Sequence, residues 1–173
     1  SRDRKSTTHR SERRRLSLIP VVAIVLHWRN PAATAACIAS LRLQSHPTQI
    51  VIVDNSDTWE SVIEYYPAAS HDVTVLRPGK NRGYTGGNNL GMAWAFAHGC
   101  DWAWLLNDDV VVAPDALEQL LGVASVTSSA GILGPLVLMT DDPNKILSAG
   151  GIFESNGRPA QRSMGETDRG QYR

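Results

Sequence analysis

The stretch Val21-Val22-Ala23-Ile24-Val25-Leu26 decides the fold class of this chain. It is wholly apolar and rich in β-branched residues, and it lacks the alternation of a half-exposed strand. Such a run is typical of a strand whose two faces are both buried. Asn30-Pro31 follows with an N-cap and a first-turn proline, so we expect a helix to about Leu43, with Ile38 and Leu41 facing inward.

The alternation of strand and helix continues along the chain. Ile50-Val51-Ile52-Val53 is a second apolar run that predicts a buried strand. In the helix expected between Gly83 and Gly99, Leu90, Trp94 and Ala97 are predicted to face the core. The remaining predicted elements are a polar helix over 58–66, strands over 73–76 and 102–106, a helix that starts at Pro114, and strands over 132–138 and 146–153. This order predicts an α/β fold, an open and mostly parallel sheet with helices on both faces.

The charges are divided unevenly along the chain. Residues 1–15 hold seven Arg and Lys side chains against two acidic ones, a net charge of +5, and the other residues carry −5. We interpret 1–15 as a basic, disordered tail and 16–173 as one domain, incomplete at its C-terminus because the sequence after Gly157 is polar and has no closing helix. The tail can contact an anionic membrane surface peripherally; a solvated extension is the alternative.

Apolar runs and cysteines bear on the compartment. No run reaches the roughly 18 apolar residues that a membrane-spanning helix needs. Cys37 and Cys100 form no CxxC pair or Cys/His cluster. This usage favours a reduced, cytoplasmic compartment and gives a zinc site no support.

Three strand ends are the most polar points of the predicted sheet. They read His27-Trp28-Arg29-Asn30, Asp54-Asn55-Ser56 and Asn107-Asp108-Asp109. The carboxyl ends of parallel strands meet at one edge, and ligands of open α/β sheets bind outside that edge. The three segments are therefore expected on one rim, which predicts a binding site there.

Two adjacent carboxylates follow the fourth predicted strand, in Leu105-Leu106-Asn107-Asp108-Asp109-Val110. The apolar residues before them predict a buried strand. Carboxylates beside apolar packing are costly unless a positive charge neutralises them. Mg²⁺ and Mn²⁺ take oxygen ligands and often share them with phosphates, so Asp108 and Asp109 are the predicted ligands of such a cation. A solvated Asp-Asp turn is the alternative for the pair taken alone.

The first two strand ends offer contacts to a nucleoside. The Asp54 carboxylate can accept a hydrogen bond from a uracil-type imide or a ribose hydroxyl, or it can form an Asx-turn with the residues that follow it. His27 and Trp28 line the end of the first strand, where Trp28 can stack on a base or merely pack.

A glycine-rich segment offers contacts to a diphosphate. Arg82 can form a fork to phosphate where a helix N-terminus presents free N–H groups. Glycines there allow close backbone approach, and the asparagines add amide contacts; a plain helix-capping loop has the same pattern. The candidate residues of this segment are Arg82, Gly83, Gly86, Gly87, Asn88 and Asn89.

Five segments occur in order within residues 18–153. They are Val25-Leu26-His27-Trp28-Arg29-Asn30-Pro31, Val51-Ile52-Val53-Asp54-Asn55-Ser56, Asn81-Arg82-Gly83-Tyr84-Thr85-Gly86-Gly87-Asn88-Asn89-Leu90-Gly91, Leu106-Asn107-Asp108-Asp109-Val110 and Gly131-Ile132-Leu133-Gly134-Pro135. Together they resemble family 2 glycosyltransferases of the GT-A fold, a Rossmann-like α/β fold, and particularly the rhamnosyltransferase-like branch. The block from Asn81 to Gly91 is the most specific of the five.

The resemblance implies an enzyme that moves a sugar from a UDP- or dTDP-sugar to a glycan or lipid-linked acceptor in polysaccharide synthesis, with inversion and with Mg²⁺ or Mn²⁺ as cofactor. It implies that Asp54 contacts the base, that residues 82–89 contact the nucleotide, and that Asp109 binds the cation with Asp108 beside the ribose or metal. The carboxylate base of the family lies late in the sequence. It is expected beyond Arg173, so no catalytic residue is named.

Other functions are weighed against this one. A nucleotide-sugar-binding module without catalysis, or an inactive fragment, is the alternative that shares the same site. A nicotinamide-dependent dehydrogenase is disfavoured because no GxGxxG follows the first strand. Nucleic-acid binding has only the basic tail in its favour, and no nucleic-acid partner is expected.

Overall fold

The computed structural model describes residues 20–56 and 72–172. The basic tail expected over 1–15 and the helix expected over 58–66 lie outside the described residues. The chain divides into two compact units, the first up to Gln119 and the second from Leu120 onward.

The first unit is a four-stranded parallel sheet with its helices. The strands lie in the order β3-β2-β1-β4, and all three neighbouring pairs are parallel. The α/β fold class with a parallel sheet is therefore confirmed. The elements are β1 (Val21–His27), α1 (Pro31–Arg42), β2 (Gln49–Asp54), β3 (Val73–Leu76), α2 (Gly83–Ala97), β4 (Trp102–Asn107) and α3 (Ala116–Val126), which continues into the second unit.

The two faces of β1 pack against different helices. All seven residues of β1 are buried, which explains the apolar run without alternation. Ala23 and Val25 belong to the core cluster that includes α1, whereas Ile24 belongs to the cluster that includes Ala95 of α2. Helices on both faces of the sheet are thus observed, as the strand composition predicts.

Helix α1 forms where the sequence predicts it. The Asn30 side chain accepts a 3.1 Å hydrogen bond from the backbone N–H of Ala33, and Pro31 occupies the first turn. The helix ends at Arg42, one residue before the predicted Leu43. Ile38 and Leu41 are buried, as expected.

The inward face of α2 agrees with the predicted one only in part. Leu90 and Trp94 are partly buried and pack against the core, as predicted, whereas Ala97 is exposed. The buried residues are Gly87, Asn88, Gly91 and Ala95. A Cβ on Gly91 would lie 2.4 Å from Ile24 Cγ2, and one on Gly87 2.3 Å from Leu26 Cδ1. The helix lies too close to β1 for side chains on that face, so glycines occupy it.

Strand β4 is less buried than its apolar sequence predicts. Leu106 is buried, but Leu105 is 40% exposed and both tryptophans of the strand are only partly covered. Within the described residues β4 pairs only with β1, so it is an edge of the sheet. Its outer side therefore lacks the neighbouring strand that would bury it.

The second unit contains two small antiparallel pairs. They are β5 (Val137–Leu138) with β6 (Ile146–Ser148), and β7 (Gly151–Phe153) with β8 (Pro159–Gln161). The strand predicted over 132–138 is thus limited to its last two residues, after Pro135, which has no N–H for a ladder. The strand predicted over 146–153 is divided at Gly150, whose φ of +108° favours glycine. Between Gly157 and residue 172 the described chain forms β8 and no helix.

The helices of the first and second units are all short. Among residues 20–56 and 72–172, no helix has both the length and the apolar composition to cross a membrane.

Candidate functional site

The three polar strand ends lie side by side on one rim of the sheet. In the parallel register His27 of β1 pairs with Asp54 of β2, and Leu26 of β1 pairs with Asn107 of β4. His27 therefore lies between Asp54 and the Asp108-Asp109 pair. The expected convergence of these segments is observed, and it follows from strand order and register.

His27 is fully buried at the centre of this rim. Its Nδ1 lies 2.7 Å from Thr34 Oγ1, whose hydroxyl donates to the Asn30 carbonyl at 3.0 Å. If the hydroxyl proton is donated to that carbonyl, the Thr34 oxygen is the acceptor and Nδ1–H of His27 the donor. Burial lowers the pKa of His27, although the carboxylates of Asp54 and Asp108 act in the opposite direction.

Asp108 joins the ends of β1 and β4. Its Oδ2 atom accepts a 2.9 Å hydrogen bond from the backbone N–H of Trp28 and lies 3.5 Å from both Thr34 Oγ1 and His27 Nδ1. By contrast Asp109 is exposed and makes no hydrogen bond or ion pair within the described part of the chain. The two adjacent carboxylates thus have different surroundings, one held by the protein and one directed to solvent.

Few protein side chains on the rim could act as ligands of a cation. No group of three or more His, Cys, Asp or Glu side chains in residues 20–56 and 72–172 could hold a metal ion. Mg²⁺ is commonly held by one or two carboxylates, with water and substrate phosphates as its other ligands. The exposed Asp109 carboxylate, with Asp108 beside it, suits a cation of that shared kind.

Asp54 forms the Asx-turn that the sequence left open. Its Oδ1 accepts hydrogen bonds from the backbone N–H and the hydroxyl of Ser56, at 3.1 and 2.7 Å. Its Oδ2 lies 3.8 Å from a guanidinium nitrogen of Arg77. Arg77 was missed by sequence reasoning, although it directly follows β3 and the strand-end argument applies to it equally. Contact of Asp54 with a base stays a prediction.

Asn55 connects the end of β2 to the segment before α2. Its Oδ1 accepts a 2.8 Å hydrogen bond from the backbone N–H of Arg82. Its Nδ2 donates to Asn81 Oδ1 at 2.9 Å and to the Gly83 carbonyl at 3.2 Å. Asn55 lies within a strand-end segment noted from the sequence, but no sequence signal pairs it with residues more than 25 positions away.

The glycine-rich segment divides between solvent and core. Arg82 is exposed at the N-cap position of α2, and Gly83 has a φ of +68°. Gly87 is buried against Leu26, so its missing side chain serves helix–strand packing. Close approach of its backbone to a ligand stays a prediction. Gly86 is partly buried and Asn89 is exposed.

Asn88 has an unused acceptor in the interior. It is 4% exposed, and its Nδ2 donates to the Tyr84 carbonyl at 3.1 Å. Its Oδ1 has no hydrogen-bond partner among the residues that the structure describes. Such a buried amide oxygen is uncommon.

Trp28 and Arg29 form the exposed end of β1. The Trp28 side chain is 52% exposed, and the Arg29 guanidinium carbon lies 5.1 Å from the centre of its ring. Arg29 has a φ of +58°, a left-handed conformation that is costly for a residue with a Cβ. The Arg29 guanidinium thus lies over one face of the indole, and stacking of Trp28 on a base stays a prediction.

Comparison with known sequences identifies a family. The profile of Glycosyl transferase family 2 matches residues 22–168. Galactofuranosyltransferase GlfT1 of Mycobacterium tuberculosis is 35% identical over 130 residues, which are 73% of this chain and 42% of that protein. GlfT1 of Mycolicibacterium smegmatis is 31% identical over 123 residues, covering 71% and 40%. The chain therefore spans about two fifths of the length of these relatives.

Solved structures share the fold at low sequence identity. The mannosyltransferase PcManGT from Pyrobaculum calidifontis, in complex with GDP-Man and Mn²⁺, gives a TM-score of 0.53 at 15% identity, over 73% of this chain and 38% of that one. TarS of S. aureus gives 0.51 at 15% identity, over 70% and 24%. The predicted GT-A-like fold is confirmed by these neighbours, whereas the rhamnosyltransferase-like branch stays a prediction.

Proposed function

Because this chain belongs to glycosyl transferase family 2, we propose that its first unit binds a nucleoside-diphosphate sugar and that the whole protein transfers this sugar to a glycan or lipid-linked acceptor. One observation carries the proposal. Asp54, His27 and the Asp108-Asp109 pair occupy the ends of three adjacent parallel strands, at the edge where such sheets bind nucleotides.

The nucleoside is assigned to the part of the rim around Asp54 and Trp28. Oδ1 of Asp54 is engaged by Ser56, and Oδ2 faces Arg77. The base would lie against the end of β2 at Asp54 and the end of β1 at Trp28. The exposed Trp28 ring would be its stacking surface.

The diphosphate is assigned to the N-terminal end of α2 and to the cation. The side chain of Arg82, at the N-cap position, is exposed and makes no capping hydrogen bond, and the N–H groups of the first turn have no partner within the helix itself. Free N–H groups and a guanidinium together suit phosphate oxygens. Asp109, with Asp108 beside it, would hold Mg²⁺ or Mn²⁺, and a bound cation of this kind stabilises the charge of a diphosphate leaving group. The Mn²⁺ complex of the structural neighbour supports this choice.

The transferred sugar is proposed from the sequence relatives. Both GlfT1 proteins are named galactofuranosyltransferases, and each is more than 30% identical to this chain. We favour a galactofuranosyl donor over the rhamnosyl donor that the motif resemblance suggests. Inversion at the anomeric carbon and a cytoplasmic location stay predictions, and no catalytic base is assigned.

The donor site is tested by calorimetric titration of UDP and dTDP with and without Mn²⁺. Asp109→Ala should lower the Mn²⁺-dependent affinity by about 10- to 100-fold, the range found when groups around a bound metal are removed. Asp101→Ala is the matched control, because Asp101 is also exposed but precedes the opposite end of β4. Folded wild-type protein that binds neither nucleotide would contradict the proposal.

A second titration distinguishes the donors. UDP-galactofuranose and dTDP-rhamnose are compared on the wild-type protein in the presence of Mn²⁺. Tighter binding of the galactofuranosyl compound supports the assignment taken from the relatives. Tighter binding of dTDP-rhamnose supports the branch that the motifs suggest, and leaves the donor site itself intact.

A further inference from the structure

Both polar atoms of the Asn55 side chain form hydrogen bonds with the segment that begins α2. Its oxygen accepts from Arg82 N–H, and its NH₂ group donates to Asn81 Oδ1 and to the Gly83 carbonyl. Its own backbone N–H donates to the His27 carbonyl at 3.0 Å. Asn55 is 4% exposed, so these bonds are not exchanged for water. One buried amide therefore ties the centre of the rim to residues 81–83.

The segment that Asn55 holds has a backbone conformation that needs support. Gly83 has a φ of +68°, and its N–H donates to Asn81 Oδ1 at 2.7 Å. The Asn81 oxygen thus accepts from both Gly83 and Asn55. A Cβ on Gly87, one turn into the helix, would lie 3.6 Å from Asn55 Cγ, so the amide also packs under α2.

We propose that Asn55 is a positioning residue that holds the side chain of Arg82 and the first turn of α2 in the arrangement that receives the diphosphate of the donor. The inference rests on the proposed function, and it adds a residue that contacts no substrate atom itself. Helix N–H groups bind an anion well only when they are fixed in direction, because their contribution is that of preorganised dipoles. Asn55 supplies that fixation from the strand end next to Asp54.

The donors and acceptors in these hydrogen bonds suggest a matched pair of variants. Asn55→Asp keeps the size of the side chain but replaces the donating NH₂ by an oxygen that faces two acceptors, Asn81 Oδ1 and the Gly83 carbonyl. Rotation of the Asn81 amide cannot repair this, because its Oδ1 also serves Gly83 N–H. Asn81→Asp adds the same charge at the neighbouring position, whose Oδ1 lies 2.9 Å from Asn55 Nδ2. It keeps the oxygen that accepts from Asn55 Nδ2 and from Gly83 N–H. The pair separates hydrogen-bond polarity from charge.

The experiment measures the affinities of UDP and uridine for wild type, Asn55→Asp and Asn81→Asp, with thermal unfolding of each. We expect UDP affinity to fall about tenfold further in Asn55→Asp than in Asn81→Asp, with uridine affinity equal in all three. A general loss of stability would lower the affinities for UDP and uridine alike, so a loss of affinity for UDP alone points to the diphosphate contacts. Equal UDP affinities in the two variants, or an equal loss for uridine and UDP, overturn the inference.

Gly83→Ala covers the case in which Asn55→Asp does not fold. A Cβ at Gly83 has nothing within 4 Å, so this variant strains only the backbone of the segment that Asn55 holds. It should lower UDP affinity and leave uridine affinity unchanged; unchanged UDP affinity overturns the inference. If the wild type itself does not bind UDP, the proposed function fails together with the inference, whereas wild-type binding with equal variants removes the inference alone.

Discussion

The backbone N–H of Trp28 donates a 2.9 Å hydrogen bond to Oδ2 of Asp108, eighty positions later in the chain. This bond joins the carboxyl ends of β1 and β4 at the centre of the candidate site. The two adjacent aspartates therefore have different roles: Asp108 accepts a hydrogen bond within the protein, and Asp109 is exposed to solvent. Each task can be measured by itself.

Asp108→Ala is expected to lower the free energy of unfolding by about 1–3 kcal/mol, because it removes the hydrogen bond between the Asp108 carboxylate and the Trp28 N–H. Asp109→Ala should change it by less than about 0.5 kcal/mol, as is usual for an exposed side chain without partners. Urea denaturation measures both. Equal destabilisation by the two variants would contradict the division of tasks.

Thr34→Val is expected to destabilise the protein by about 2 kcal/mol, because the buried Nδ1 of His27 loses the hydroxyl that lies 2.7 Å from it. Thr34→Ser retains the hydroxyl and should cost only the buried methyl group, about 1 kcal/mol or less. Thermal unfolding compares the two. A serine variant less stable than the valine variant would show that the methyl group, and not the hydrogen bond, matters at this position.

Gly91→Ala should destabilise the protein by about 1–3 kcal/mol, because the new Cβ would lie 2.4 Å from Ile24 Cγ2 and 3.2 Å from Val53 Cγ2, both in the core. Gly122→Ala is the control within α3, where nothing lies within 4 Å of the added Cβ. It should stabilise the helix by about 0.5–1 kcal/mol. Chemical denaturation of both variants checks the sign, and a stabilised Gly91→Ala would refute the close packing of α2 on β1.

The two free cysteines should differ in their reaction with a thiol reagent at pH 8. Cys37 is completely buried, and burial raises the pKa of its thiol to about 12. Cys100 is only partly buried, although burial raises its pKa as well. We expect Cys100 to be modified in the folded protein and Cys37 only after unfolding. Mass spectrometry of Cys100→Ser, which should remain unmodified until denaturant is added, provides the check.

The pKa of Cys37 also predicts how stability changes in alkali. The folded value is raised above the ordinary 9.0, so the unfolded chain loses this proton first as the pH rises. The contribution of the protonated Cys37 thiol to the free energy of unfolding is present below pH 9 and is lost as the pH approaches 12. The difference in unfolding free energy between wild type and Cys37→Ala should therefore shrink over this range; a constant difference would show that the thiol ionises equally in both states.

Several parts of the fold follow from the sequence because they depend on neighbouring residues. The apolar run of β1 indicates burial on both faces, and Asn30-Pro31 specifies the start of α1 through a cap and a fixed φ. The location of the rim follows as well, since parallel strands carry their polar ends to the same edge. In the second unit the local signals were weaker, and the strands predicted over 132–138 and 146–153 were too long.

The identity of the individual contacts was decided only by the tertiary structure. Apolar periodicity placed Ala97 on the inner face of α2, yet the helix approaches β1 so closely that Gly87 and Gly91 occupy that face. Spacing treated Asp108 and Asp109 alike, yet the register of β4 on β1 engages one of them with Trp28. The sequence by itself determined the class of fold and the edge that carries the site, because backbone preference and hydrophobic pattern act over a few residues. Which side chains meet there depends on strand order and helix distance, and these arise only when segments far apart in the chain pack together.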